Sequence, residues 1–103
     1  MTEHIIQNSK KRYTIVYKLE ETNGNLNVTF ATAHAAPRDN FSRKLGRTIA
    51  SGRLANGTDN VYKLVFWGNR TPTEANGWRN LEAAIASEAE MYYRRKPRFK
   101  NGE

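Results

Sequence analysis

Large apolar side chains occupy every second position in two neighbouring segments near the start of the chain, residues 12–20 and residues 25–33. A period of two is typical of a strand that buries one of its faces. Between the segments stand Asn23 and Gly24, a pair that favours the positive φ angles of a tight hairpin turn. The pattern therefore predicts an antiparallel β-hairpin.

The next periodic segment follows Pro37 and has the spacing of a helix. Asp39 or Asn40 is suited to cap its first turn, and apolar residues then recur four positions apart. These residues are Phe41, Leu45 and Ile49. We expect them to form one buried stripe, and we expect the helix to extend to about Ser51 and to end at Gly52.

Two further elements are indicated in the second half of the chain. β-Branched and aromatic residues fill positions 61–67, between an Asn-Gly and a Gly-Asn pair, which predicts a third strand. Apolar residues at helical spacing then predict a second helix that ends before Pro97. Its start has two interpretations. One is a capped, proline-containing start at Thr71, and the other is a start near Asn76 that leaves residues 71–75 as a separate turn.

These elements predict an α+β fold in the order ββαβα, with an antiparallel sheet of three or four strands packed against two helices. The number of strands depends on residues 1–10, which form either a frayed terminus or an added edge strand. The 103 residues suit one domain, with residues 1–10 and 97–103 as candidate flexible tails. A monomer of this size would leave sheet edges and apolar surface exposed to solvent. We therefore expect a homo-oligomer, in which a second subunit covers them.

Composition adds a strong positive charge to this picture. Seventeen Lys and Arg residues against ten Asp and Glu residues give a formal net charge of +7. The leading partner is therefore phosphate or another polyanion, which the guanidinium fork pairs with well. The alternative is that the charge only keeps the protein in solution.

Composition also argues against several classes of protein. The chain has no cysteine and two histidines, His4 and His34, so we expect no metal and no cofactor. No apolar stretch has the roughly 20 residues of a membrane helix, and residues 1–10 lack a signal-peptide hydrophobic region. We therefore expect a cytoplasmic protein without a membrane partner.

The first predicted helix carries the most informative basic residues. Arg43 and Arg47 lie four positions apart and hence on one helix face. Gly46, beside Arg47, costs about 1 kcal/mol relative to alanine inside a helix, which indicates that a ligand or a partner helix approaches the backbone there. The alternative is a solvated basic face over a buried apolar stripe, with a tolerated glycine.

Aromatic residues suggest a second binding element. Phe66 and Trp67 are adjacent on the third predicted strand and cannot both face inward, so we expect one of them to be exposed. An exposed aromatic ring beside arginine stacks well on a nucleobase. The alternative is that Phe66, Trp78 and Tyr92 belong to the core.

The sequence shows no nucleophile spaced with a base, no paired carboxylates and no glycine-rich phosphate loop. We therefore expect a binding protein and not an enzyme.

Residues 37–54 read PRDNFSRKLGRTIASGRL. This segment lies after a predicted hairpin and before a predicted aromatic strand. It is similar to the corresponding segment of small phage-encoded proteins, namely the first described of the two anti-Thoeris sponge families. The likeness follows the element order over roughly residues 12–95 and is sharp in this segment. It implies a protein of phage origin that performs no chemistry.

Such proteins, as the resemblance implies, sequester a host immune signal. The signal is a cyclised ADP-ribose variant made by a TIR-domain enzyme, and some members also hold cyclic oligonucleotides. They are homo-oligomers with ligand pockets between subunits, which implies a dimer or a hexamer here.

The implied ligand sets the candidate site residues. Its diphosphate needs guanidinium groups or helix N-terminal amides, and its adenine needs an aromatic or guanidinium plane. The phosphate candidates are Arg43, Arg47 and Arg53. The base-stacking candidates are Phe66 and Trp67. Asn76 is the candidate for a polar edge, and the last helix and tail add Tyr93, Arg94 and Arg98.

The main alternative function is direct nucleic-acid binding by a small basic protein of phage or plasmid origin. The basic residues are interleaved with apolar ones, and the sequence shows no helix-turn-helix or RNA-binding sheet motif. Salt distinguishes the two functions, because nucleic-acid affinity falls steeply with salt and the affinity of a buried small-ligand site falls much less. A third class is a protein inhibitor that caps an acidic host protein.

Overall fold

The structure, a computed structural model, describes residues 3–35, 42–57 and 61–95, the last three of these by their backbone alone. It is the predicted α+β fold, and His4–Asn8 forms an additional edge strand. The strands are β1 (His4–Asn8), β2 (Tyr13–Thr22), β3 (Asn25–His34) and β4 (Val61–Phe66), and the helices are α1 (Arg43–Asn56) and α2 (Ala75–Arg95).

The four strands form one antiparallel sheet in the order β1-β2-β3-β4. Each strand therefore pairs with its neighbour in sequence, and β1 and β4 are the edges. At the tip of the predicted hairpin, Asn23 and Gly24 have φ angles of 53° and 79°, the left-handed pair that a two-residue turn requires. The hairpin prediction is confirmed.

The main core lies between α2 and one face of the sheet. The alternating residues of β2 and β3 supply its fully buried side chains, among them Tyr17, Val28 and Phe30. Leu81 and Ile85 of α2 pack against them. Burial of an apolar side chain of this size contributes about 1.5–3 kcal/mol, so this layer is the principal source of stability.

Aromatic side chains from the second half of the chain extend this core. The rings of Tyr62 and Tyr92 stack with centroids 4.5 Å apart, and Phe30 lies 5.5 Å from Tyr62. Trp78 contacts the ring of His4 at 4.8 Å. Phe66, Trp78 and Tyr92 all pack against the core, which confirms the interpretation that these three are core residues.

Two polar contacts fix α2 to the sheet. The Tyr17 hydroxyl donates a hydrogen bond to the Glu82 carboxylate at 2.6 Å. Burial raises the pKa of Tyr17 above its ordinary value, and the bond to Glu82 raises it further. Lys11, just before β2, pairs with Glu90 farther along the helix.

Helix α1 packs on the opposite face of the sheet, above β2 and β3. Its buried residues are Ala50 and Leu54, which lie against Val16 and Ala31. A side chain at Gly46 would overlap the hydroxyl oxygen of the Thr14 side chain and lie 3.2 Å from its Cβ. The predicted close approach at Gly46 is confirmed, but strand β2 makes it, and the prediction of a ligand or a partner helix there is wrong.

The predicted buried stripe of α1 is wrong. Leu45 is 58% exposed and Ile49 is 37% exposed, and Phe41 lies outside the described residues. The sheet beneath α1 presents small side chains, so the helix approaches it through Gly46, Ala50 and Leu54. That stripe has the same four-residue spacing as the predicted one but is rotated by about 100° around the helix.

Both ends of α1 also differ from the prediction. Ser42 is the N-cap instead of Asp39 or Asn40, and its hydroxyl accepts a hydrogen bond from the Leu45 amide at 3.2 Å. The helix continues through Gly52 to Asn56. It ends there because Gly57 adopts the left-handed conformation, with φ of 61°.

Helix α2 begins at Ala75, and its first hydrogen bond runs from the Trp78 amide to the Glu74 carbonyl. This confirms the interpretation that a separate segment precedes the helix. Gly77 fits inside the first turns because Pro72 packs against it, and a Cβ atom there would lie 3.1 Å from the Pro72 Cβ. The helix ends at Arg95, before Pro97 as predicted. Across residues 3–35, 42–57 and 61–95, neither helix has the length and apolarity that crossing a membrane requires.

Candidate ligand groove

The segment between β4 and α2, residues 67–74, is tied to the tip of the hairpin. The Gly68 amide donates a hydrogen bond to Oδ1 of Asn25 at 3.0 Å. The Thr71 amide donates one to the Glu21 carboxylate at 2.6 Å. These two contacts hold the segment beside the start of α2.

The Glu21 carboxylate is stabilised in its charged form by this segment. The Thr71 amide lowers the pKa of Glu21 most, and the Thr71 side chain and the positive charge of Arg70 lower it further. The carboxylate is therefore ionised at neutral pH and remains an acceptor for the Thr71 amide.

A groove of about 350 Å³ lies between this segment, the adjoining ends of β3 and β4, and the first half of α2. Its volume falls within the range of small-molecule sites. The lining has an apolar base and a polar rim. The apolar residues are Leu26, Phe66, Pro72, Gly77, Leu81 and Ala84, and the polar residues are Asn69, Arg70 and Asn80.

The groove offers groups for binding a flat, negatively charged molecule. Phe66 provides an aromatic wall, Arg70 provides a cation, and the amides of Asn69 and Asn80 provide donors and acceptors. The first turn of α2 carries no acidic residue, but Glu74 stands directly before it, so the positive charge of the groove comes from Arg70. Among the described residues that line the groove, Arg70 is the one charged side chain.

The two predicted base-stacking residues differ in their surroundings. Phe66 lines the groove. Trp67 follows the last residue of β4 and is 77% exposed, which matches the expectation that one of the pair is exposed. Asn76 is exposed in the first turn of α2, while its neighbours Gly77 and Asn80 line the groove.

The three predicted phosphate-binding arginines belong to α1 and therefore lie on the other face of the sheet. Arg53 donates a hydrogen bond to the Thr32 carbonyl at 2.7 Å, one residue beyond the last β3–β4 pair. Arg43 is exposed, and its carbonyl accepts a hydrogen bond from Gln7 at 2.9 Å.

Arg47 lies in a shallow depression beside Glu3, together with Lys44 and Thr48. The Glu3 carboxylate accepts a hydrogen bond from Ser51 at 2.8 Å. A carboxylate is thus already present where an anion would meet Arg47.

The remaining predicted residues are at the far end of the chain. The side chains of Tyr93 and Arg94, and the whole of Arg98, lie outside the described part of the structure. The backbone of Tyr93 is about 24 Å from Gly77 along the axis of α2. Of the six predicted residues whose side chains the structure describes, Phe66 alone lines the groove.

Sequence reasoning missed the polar rim, which consists of Asn69, Arg70 and Asn80. One signal was available for the first two, because they directly follow the Gly68 turn at the end of a strand. Loops at strand ends commonly carry binding groups. Asn80 had no such signal, because it is one of several polar residues on an amphipathic helix.

No protein-family model, no curated protein and no solved structure matches the chain. Among the residues that the structure describes, no group of three or more His, Cys, Asp or Glu side chains is placed to hold a metal ion.

Proposed function

We propose that the protein binds a small nucleotide in this groove and holds it without cleaving it. One observation carries the proposal: Phe66, Arg70 and two asparagines surround a concavity of ligand size. An aromatic wall suits a base, a guanidinium suits a phosphate, and amide side chains suit ribose hydroxyls or the edge of a base. The groove is thus equipped to recognise each part of a nucleotide.

The resemblance of residues 37–54 to the anti-Thoeris sponges supplies the proposed ligand, a cyclised ADP-ribose variant. In this proposal the protein lowers the free concentration of an immune signal, so affinity is what matters. The resemblance also implies ligand pockets between subunits, and in such a pocket α1 would supply arginine side chains. Because Arg43 and Arg47 lie across the sheet from the groove, they would reach its ligand only from a second copy.

The proposal is tested by calorimetric titration with cyclic ADP-ribose isomers and cyclic oligonucleotides at low and high salt. We expect binding that persists at high salt, with the ligand recovered chemically intact by chromatography. Salt-sensitive binding to a DNA or RNA duplex, without binding of any small nucleotide, would contradict the proposal and favour a nucleic-acid-binding protein.

A pair of arginine variants tests the groove itself. Arg70→Gln removes the one cation of the lining, whereas Arg79→Gln makes the same charge change at an exposed position of α2 that does not line the groove. A hydrogen bond to a charged group contributes about 1.5–3 kcal/mol, so Arg70→Gln should weaken nucleotide binding roughly 10- to 100-fold. Arg79→Gln should leave it unchanged, and equal losses would show that the groove is not the site.

A further inference from the structure

Helix α1 covers only part of the sheet face that carries it, since Lys18 and Thr29 of that face are half-buried and Lys63 is exposed. α1 lies over the end that contains Thr14, Val16 and Ala31. Beyond it, Lys18, Thr29 and Lys63 form one row directly across three strands. The next row outward is Glu20, Asn27 and Val65.

The edge strand β4 continues this uncovered area toward the end of the sheet. Lys63 and Val65 occupy alternate positions of β4, about 7 Å apart, and Trp67 comes two positions later, directly after the strand ends. Val65 is 42% exposed and Trp67 is 77% exposed. The Trp67 backbone is anchored, since the next residue, Gly68, is bonded to the Asn25 side chain. We call the surface formed by these two rows of side chains, including the exposed Glu20, and by Trp67 the open half-sheet.

We propose that the open half-sheet binds single-stranded nucleic acid. Its lysine row spans two strand spacings, about 10 Å, and offers two cations to a phosphate backbone, with the Thr29 hydroxyl between them. Trp67 offers an exposed ring on which a base stacks, and Asn27 adds a hydrogen-bonding group in the next row. The net charge of +7 attracts any polyanion to the molecule, and this surface adds an aromatic ring next to the cations.

Two features favour a single strand over other partners. In a duplex the bases are stacked on each other, so Trp67 would contribute nothing to binding. A second copy placed face to face with the two lysine rows in register would bring like charges together, and like charges repel. An unpaired strand, in contrast, uses both the cations and the ring.

This inference is independent of the proposed nucleotide site. Phe66 lines the groove on the α2 side of the sheet, whereas the open half-sheet lies on the α1 side. Arg70→Gln should therefore leave oligonucleotide binding unchanged. A parallel loss of nucleotide and oligonucleotide binding in this variant would overturn the assignment of two separate sites.

The test is fluorescence anisotropy with labelled 12-residue oligo-dT and oligo-U, and with a duplex of the same length, over a series of salt concentrations. We expect the single strands to bind more tightly than the duplex. Trp67→Ala should weaken single-strand binding roughly tenfold. Because the ring is exposed, the variant should keep the circular dichroism spectrum of the parent protein.

A double variant tests the lysine row. Lys18→Ala with Lys63→Ala should lower the slope of log affinity against log salt by about 1.4, which is two single-strand phosphate contacts. The matched control is Lys10→Ala with Lys44→Ala, which removes the same charge from exposed positions elsewhere. Equal effects of the two double variants, tighter duplex binding, or an unchanged affinity in Trp67→Ala would each overturn the proposal.

Discussion

Gly46 sets the distance between α1 and the sheet. Its backbone lies against Thr14, where a methyl group would overlap the hydroxyl oxygen. Gly52 is in the same helix, yet nothing stands within 4 Å of the place where its side chain would be. Alanine at Gly52 would therefore change only helix propensity, whereas alanine at Gly46 would also change the packing against the sheet.

We predict opposite effects on stability for alanine at these two positions. Gly52→Ala should raise the free energy of unfolding by up to about 1 kcal/mol, the propensity difference between the residues. Gly46→Ala should lower it by about 1–3 kcal/mol, because overpacking outweighs that gain. Urea unfolding measures both. Adding Thr14→Ala to Gly46→Ala should cost less than the sum of the two single changes, and strict additivity would show that Thr14 is not the obstacle.

Tyr17 gives stability a dependence on alkaline pH. Burial, and then the hydrogen bond to Glu82, raise the pKa of Tyr17 in the folded protein, while an unfolded chain titrates near 10. The stabilising contribution of this hydroxyl is therefore complete below about pH 10 and is lost as the pH rises further.

The variant Tyr17→Phe tests this dependence. At pH 7 it should lower the free energy of unfolding by about 1.5–3 kcal/mol, because Glu82 loses a hydrogen-bond donor. Above about pH 10 the parent protein loses up to about 1.4 kcal/mol per pH unit from this group, so the difference should shrink. Urea titrations at pH 7 and pH 11 measure it, and a constant difference would contradict the linkage.

At the scale of elements, α1 shows where sequence reasoning succeeded and where it failed. The four-residue period of apolar positions predicted a helix correctly. It could not fix the helix rotation, because Leu45 and Ile49 satisfy the same period as Gly46 and Ala50. The small side chains of the sheet beneath decide the rotation, and that pairing is a property of the folded chain.

Leucine substitutions in α1 test which stripe is buried. Leu54→Ala should lower the free energy of unfolding by about 2–4 kcal/mol, because Leu54 is buried against the sheet. Leu45→Gln should change it by about 0.5 kcal/mol or less, because Leu45 faces outward. Urea unfolding at two protein concentrations separates the stability of a subunit from any association. A large loss of unfolding free energy in Leu45→Gln at both concentrations would show that the stripe predicted from sequence is the buried one.

The groove was partly predictable for a related reason. Phe66 followed from strand alternation and aromatic character, which are local properties. The placement of Asn69 and Arg70 depends on bonds from Gly68 to Asn25 and from Thr71 to Glu21. These bonds join residues more than 40 positions apart, and no local pattern encodes them.

The whole molecule combines a net charge of +7 with several exposed apolar side chains. Within the described residues and apart from the open half-sheet, these are Leu45, Ile49 and Met91. We expect the protein to be a homo-oligomer, since apolar surface of this kind favours association. Because like charges oppose it, salt should strengthen the association.

Light scattering coupled to gel filtration measures this directly. We predict the mass of a dimer or a hexamer, with a larger oligomeric fraction at 0.5 M than at 0.05 M salt, because the Debye length falls from roughly 14 Å to roughly 4 Å over this range. A monomer mass at both salt concentrations would contradict the prediction. It would also remove the second copy through which Arg43 and Arg47 are proposed to reach a ligand.

Strand β4 contributes side chains to two surfaces. Phe66 faces the groove, and Lys63 and Val65 face the open half-sheet. Substitutions at alternate positions therefore allow each surface to diversify alone. A deletion or insertion of one residue within β4 would have a different effect, since it would exchange the two sets of side chains. Among natural or engineered variants of this chain, β4 should accept many replacements and very few changes of length.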